Sequence, residues 1–149
     1  MMDDKIVPKG TLVIELRDEF GNVKEQHEHN LVVNVGLAFI AGRLMGTPAV
    51  MSHMAVGTGT TAAAVAQTAL VTEAARVALG STTNVTTTVT NDAVQYVATF
   101  AAGTGTGALT EAGLFNAASA GTMLSRTVFS VVNKGALDTL TITWKITFS

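Results

Sequence analysis

The chain is 149 residues long, with nine Lys and Arg against eleven Asp and Glu and a net charge of −2, so it carries no basic footprint for nucleic acid. It has no cysteine, which excludes disulfides, thiolate metal sites and thiol catalysis, and no apolar run approaches the roughly 18 residues that cross a bilayer. Charged residues make up only 13%, against about 25% in an average domain, so threonine hydroxyls carry much of the solvation. Repulsion between copies is weak, which suits a subunit that hides surface against neighbours.

This length fits one domain that removes roughly two-thirds of its unfolded surface from water. Residues 1–10 are polar, aperiodic and interrupted by Pro8 and Gly10. They read as a flexible arm that orders against a partner, with Asp3, Asp4, Lys5, Ile6, Val7 and Pro8 as its candidate contacts. The acidic start lacks the apolar stretch of a secretory signal. Residues 11–149 are then one β domain. Leu12, Ile14 and Leu16 alternate with polar neighbours, and turn chemistry at 18–22 leads into a polar strand at 23–30, which predicts a hairpin.

Asn34 is placed as an N-cap, Gly46 as a stop, and Leu37, Ile40 and Leu44, with Phe39, form an apolar stripe between them. That spacing predicts the one helix. Gly36 and Gly42 weaken its propensity, so packing must hold it and close approach to a sheet becomes possible. Further strands are predicted at 51–56, within an extended or mixed stretch at 73–79 whose best strand candidate is 76–79, and at 84–90 and 93–101, the last two as a hairpin rich in β-branched residues. The alanine-rich segment 61–69 reads equally as a helical turn or a loop. Residues 112–116 and 122–132 make a third pair. In the final strand, Leu140, Ile142, Trp144, Ile146 and Phe148 alternate with threonines and Lys145. The sum is an all-β fold with one short helix, an antiparallel β-sandwich of jelly-roll-like type.

Chemistry-bearing residues are sparse. His27 and His29 share a strand face as some metal ligands do, yet no third ligand follows at useful spacing and His53 is distant. Gly57-Thr58-Gly59-Thr60 and Gly103-Thr104-Gly105-Thr106 lack the lysine and the helix that a phosphate loop needs, so they read as turns. Each leads to an isolated glutamate, Glu73 and Glu111. A buried carboxylate is costly without a partner, so Glu73 is expected to meet Arg76, and Glu111 to meet Arg126 or nearby backbone amides. The absence of a nucleophile elbow or a paired-acid cluster argues against an enzyme, and no cofactor or metal is expected. Glycan binding is disfavoured because Trp144 and Tyr96 both fall on predicted core faces.

The run Asn34-Val35-Gly36-Leu37 with Phe39-Ile40-Ala41, then Met51 through Thr60, then Thr110-Glu111-Ala112-Gly113-Leu114-Phe115-Asn116, resembles small structural proteins of tailed bacteriophages. Gly121 through Arg126, Val132-Asn133-Lys134 and Asp138 through Trp144 belong to the same pattern. The resemblance implies a virion protein. Its partners would be the major capsid protein and further copies of itself as a dimer or trimer, without nucleic acid or membrane. Two locations are implied: a decoration (cement) protein on the capsid surface, or a tail, baseplate or tail-fibre attachment component with tail proteins as partners. The chain ends about where the β domain ends, with no shaft repeats after it, which favours decoration.

Overall fold

In the computed structural model, which describes residues 4–149, the final strand β10 (Thr139–Phe148) keeps its predicted alternation. Leu140, Ile142, Trp144 and Ile146 are buried, and the intervening threonines and Lys145 are half-exposed. β10 lies between β1 (Pro8–Arg17) and β7 (Ala93–Phe100), so that Trp144 faces Leu12 on one side and Tyr96 on the other. β2 (Val23–His29) and β6 (Ser81–Val85) flank them, giving a sheet of order β2-β1-β10-β7-β6.

The second sheet, in the order β3-β9-β8-β4-β5, is built from β3 (Leu31–Val32), β4 (His53–Gly57), β5 (Glu73–Ala78), β8 (Gly107–Phe115) and β9 (Met123–Lys134). Among the described residues all pairings are antiparallel, and the result is an all-β sandwich with one short helix. The first and last strands pair, and β3 pairs with β9 inside them, which is the nested closure of jelly-roll folds. Met54, Val56, Leu109, Ala112, Leu114 and Leu124 meet Leu12, Phe100, Ile142 and Trp144 in one continuous core between the sheets.

The arm is shorter than expected. Pro8, Lys9 and Gly10 belong to β1, opposite Phe148, Thr147 and Ile146, and the Val7 N–H donates to the Ser149 carbonyl at 2.9 Å. The reason is a ladder partner from the far end of the chain, which no local pattern announces. Pro8 is tolerated because β2 pairs with β1 only from Thr11 onward. In that alternation the missing N–H of residue 8 falls on the side that β2 does not reach. Asp4, Lys5, Ile6 and Val7 remain exposed, and Asp3 lies outside the described residues.

The helix α1 (Asn34–Leu44) packs through a different face from the predicted stripe. Gly36 and Phe39 are buried and Ile40 half-buried, whereas Leu37 and Leu44 are exposed, the latter at 89%. A side chain on Gly36 would collide with the Leu124 carbonyl of β9, so the helix approaches the sheet backbone where a leucine stripe would hold it off. Val33 occupies the N-cap position without a side-chain bond, and the Asn34 N–H donates to the Val65 carbonyl at 2.8 Å. Gly46, at φ +84°, ends the helix as expected.

Segment 61–69 forms no helix, β5 takes up Glu73–Ala78 of the stretch read as extended or mixed, and β6 covers Ser81–Val85 instead of 84–90. The reason for the last shift is Asp92. Its carboxylate accepts the backbone N–H groups of Thr87, Thr88 and Val89 and the Thr87 hydroxyl, gathering the residues after β6 into a loop. Those bonds, the Val89 N–H foremost, outweigh desolvation and hold the Asp92 pKa far below the usual carboxylate range. Among the described residues no helix is long and apolar enough to cross a membrane.

Replacing Gly36 with alanine decides between propensity and packing. Alanine is better than glycine inside a helix by about 1 kcal/mol, but here the added carbon meets backbone that cannot swing aside. We expect Gly36→Ala to lower the unfolding free energy by about 1–3 kcal/mol, read as a reduced urea midpoint at unchanged slope.

Candidate functional site: a buried carboxylate latch

The site is built on the outer face of the second sheet. Glu111 on β8 stands opposite Gly57 of β4, and Gly57 in turn stands opposite Glu73 of β5. The two glutamates of the repeated Gly-Thr-Gly-Thr…Glu-Ala pattern therefore flank one glycine. On the other side of β8, Gly113 stands opposite Arg126 of β9, which puts Arg126 diagonal to Glu111 on the same face. Both side chains are fully buried, and the Arg126 Nε and Nη2 groups donate to the Glu111 Oε2 atom at 3.0 and 2.8 Å.

The rest of the carboxylate binds a strap. Residues 58–72 leave the sheet and return, closed at the base by the Thr58 N–H donating to the Thr72 carbonyl at 2.9 Å. The Glu111 Oε1 atom accepts the N–H groups of Gly59 at 3.0 Å and Thr72 at 2.7 Å, and Oε2 accepts that of Val71 at 3.0 Å. The Thr110 hydroxyl donates to the Gly59 carbonyl at 2.9 Å. Arg126 holds the middle of the strap through Nη1, which donates to the Gln67 Oε1 atom at 2.9 Å. Gln67 also accepts the Ala64 N–H and donates to the Ala62 carbonyl, so one amide side chain replaces the helix that the alanine run lacks. The strap is a compact loop of the Ω type with joined ends. Its Leu70 joins Val33, Ala55, Phe115 and Met123 in a second apolar cluster on the outer face of the sheet.

Gly57 and Gly59 make room for this carboxylate. A carbon added to them would lie 2.6 and 2.5 Å from Glu111 Oε1. Neither takes a positive φ. In the similar string at 103–106, Gly103 and Gly105 have φ of +81° and +64°, and Gly107 follows at +139°. The two strings look alike for different physical reasons: the first needs space, and the second needs left-handed backbone.

Burial acts to raise the Glu111 pKa, but the N–H groups of Thr72 and Val71, the Arg126 guanidinium and the Gly59 N–H together outweigh it and hold the carboxyl below its ordinary value. That direction is the opposite of what a general acid working near neutral pH requires. Five donors also occupy the oxygens of the group, more than its roughly four lone-pair sites. The chemistry of this arrangement is shape-holding.

The second pair sits beside it. Arg76 on β5 binds Glu73 through Nε at 2.8 Å and Nη2 at 2.7 Å, while Nη1 donates to the Ala117 and Ala120 carbonyls in the β8–β9 turn at 3.0 and 2.9 Å. Its guanidinium lies 3.7 Å from the centroid of the Phe115 ring. Arg76 is thus a tie between an edge strand and a turn, with Glu73 as its part-exposed counter-ion. The four charged residues singled out in the sequence fall into these two pairs and form no shared cleft.

The sequence gives no sign of three other groups that matter. Gln67 hides in an alanine run, and Asp92 looks like a plain turn residue. Lys134 is 2% exposed, donates from Nζ to the Ala101 carbonyl at 3.0 Å, and has its pKa pushed down by burial against the pull of Asp138. His27 bonds Glu25 on an exposed strand face, and the part-buried His53 bonds Ser52. Among the described residues no three potential ligands gather around a metal-sized space. Trp144 is fully buried and Tyr96 is 8% exposed, so neither offers a face for sugar stacking. No protein-family profile, no curated protein and no solved structure matches this chain.

The latch predicts an acid-sensitive fold. The folded pKa of Glu111 lies below its unfolded value of about 4.3, so its contribution is complete above that pH and is lost as pH falls through the folded value. Glu111→Gln leaves Arg126 buried without a counter-charge and is expected to cost about 3–5 kcal/mol at pH 7. Urea unfolding at pH 7 and at pH 3 should then show a smaller acid loss in the variant than in the parent. Equal acid losses would remove Glu111 from the acid response.

Proposed function

We propose that this chain is a structural protein of a tailed-bacteriophage virion that decorates the capsid surface and stabilises the shell, with the major capsid protein and further copies of itself as partners. The observation that carries the reading is where the phage-like segments fall. Met51–Thr60, Thr110–Asn116 and Gly121–Arg126 supply β4, most of β8, the start of β9, the glycines over Glu111, and both members of the buried ion pair. The residues of the resemblance are spent on a rigid shape, which is what a cement subunit contributes.

Such a subunit acts by adding buried area at junctions between capsomers, and many modest contacts sum over a shell. The exposed residues Asp4, Lys5, Ile6 and Val7, next to the first rung of β1, are the arm that reaches the neighbouring subunit in this reading. A low surface charge leaves little repulsion to overcome as copies crowd together.

Electron microscopy of particles carrying a labelled copy tests the location. Label spread over the head is expected, while label confined to one vertex or to the tail would make the protein a tail component. A chain lacking residues 1–5 should melt at the parent temperature but occupy purified heads less fully. A chain lacking residues 1–10 also removes the rungs at Pro8, Lys9 and Gly10 and should melt lower. Unchanged head occupancy after the shorter deletion would remove the arm from the contact.

A further inference from the structure

The sheet β2-β1-β10-β7-β6 ends in two edges of opposite character. β2 carries Lys24, Glu25, His27, Glu28 and His29, the charged edge by which natural sheets discourage strand addition. β6 reads Ser81-Thr82-Thr83-Asn84-Val85, exposed along all but its last residue, and no residue from Val77 to Asn91 is charged. It contains no proline, and its pairing with β7 runs without a register shift from Ser81 to Val85. The other sheet guards its edges differently: β3 has only two residues and leads into α1, and β5 carries the Glu73–Arg76 pair.

Among the described residues β6 has a neighbouring strand on one side only. An antiparallel ladder turns every second N–H and C=O of such a strand outward, where they remain available to another strand. The chain beyond it does not fold over this edge. Residues 87–89 are tied back to the Asp92 carboxylate, and Val89 stays 66% exposed beside the strand's end.

We propose that β6 pairs antiparallel with β6 of a second copy across a two-fold axis at Thr83, joining two five-stranded sheets into one. Thr83 then faces Thr83, Thr82 faces Asn84, and Ser81 faces Val85. A second copy is the occupant that the makeup of the strand favours. With no charge, β6 offers nothing by which to select a charged partner strand, whereas self-pairing sets β-branched and hydroxyl-bearing residues opposite one another without desolvating an ion. Cross-strand threonine pairs are among those that stabilise a sheet. Two-fold closure uses one patch on both subunits and so stops at the dimer. The proposal stands on the sheet edge and does not rest on the virion reading.

Sedimentation of the full chain from about 1 µM to about 1 mM tests it. The parent is expected to shift from monomer to dimer with concentration. Thr83→Lys and Thr83→Glu each set like charges opposite one another and should weaken the dimer by at least about tenfold. An equimolar mixture of the two variants should associate again. Thr83 is exposed, so both variants should keep the parent melting temperature, and exchange at the outward-facing amides of Thr82 and Asn84 in the parent should slow as concentration rises. A parent that stays monomeric throughout, variants that dimerise as the parent does, or a mixture that remains monomeric would each overturn the proposal.

Discussion

Glu111 is the point on which the second sheet depends. Taking a carboxylate and a guanidinium out of water costs several kcal/mol per ion, and here the cost is offset by a full set of bonds. Three strap amides and two arginine donors converge on one group. Those bonds also close a loop whose own sequence has little reason to be ordered. Without them, residues 58–72 would be an alanine- and threonine-rich excursion, and the outer cluster of Val33, Ala55, Leu70, Phe115 and Met123 would lose its cover. The charge is buried because it organises backbone that no ladder reaches.

The constraint spreads outward from there. Gly57 and Gly59 have to be glycine because the Glu111 oxygen, and at Gly57 still more closely the Thr72 carbonyl, fills the space a side chain would take. Gly113 lies opposite Arg126, where an added carbon would press on Leu70, Phe115 and Met123. Phe115, fixed in that cluster, is the ring on which Arg76 lies, and Arg76 holds both Glu73 and the β8–β9 turn. The inter-sheet core obeys the general rule that burial of alternating apolar residues drives the fold. The outer face is set by particular hydrogen bonds.

How much of this was legible in the sequence follows from the range of the forces involved. The strand alternation of β10 and the turn at Gly21, which takes a φ of +84°, are local, and local pattern foretold both. The Glu111–Arg126 pair was legible because Arg126 falls on the strand predicted to pair with the one that follows Glu111, and each charge sits in an apolar setting. The face of α1 was not, since the rule that puts leucines inward gives way where Gly36 lets the helix touch β9 backbone. The start of β1 was hidden because its partner is the last strand of the chain. The strap was hidden because its order comes from Gln67 and Glu111, two side chains whose partners lie elsewhere in the sequence.

The latch itself can be watched titrating. In an NMR titration toward acid, the amide protons of Gly59, Val71 and Thr72 should shift together. They should share one midpoint with the Glu111 carboxyl carbon, below the ordinary glutamate value of about 4.3. A midpoint at or above that value, or three amides that titrate independently of the carboxyl, would contradict a strap held by this carboxylate.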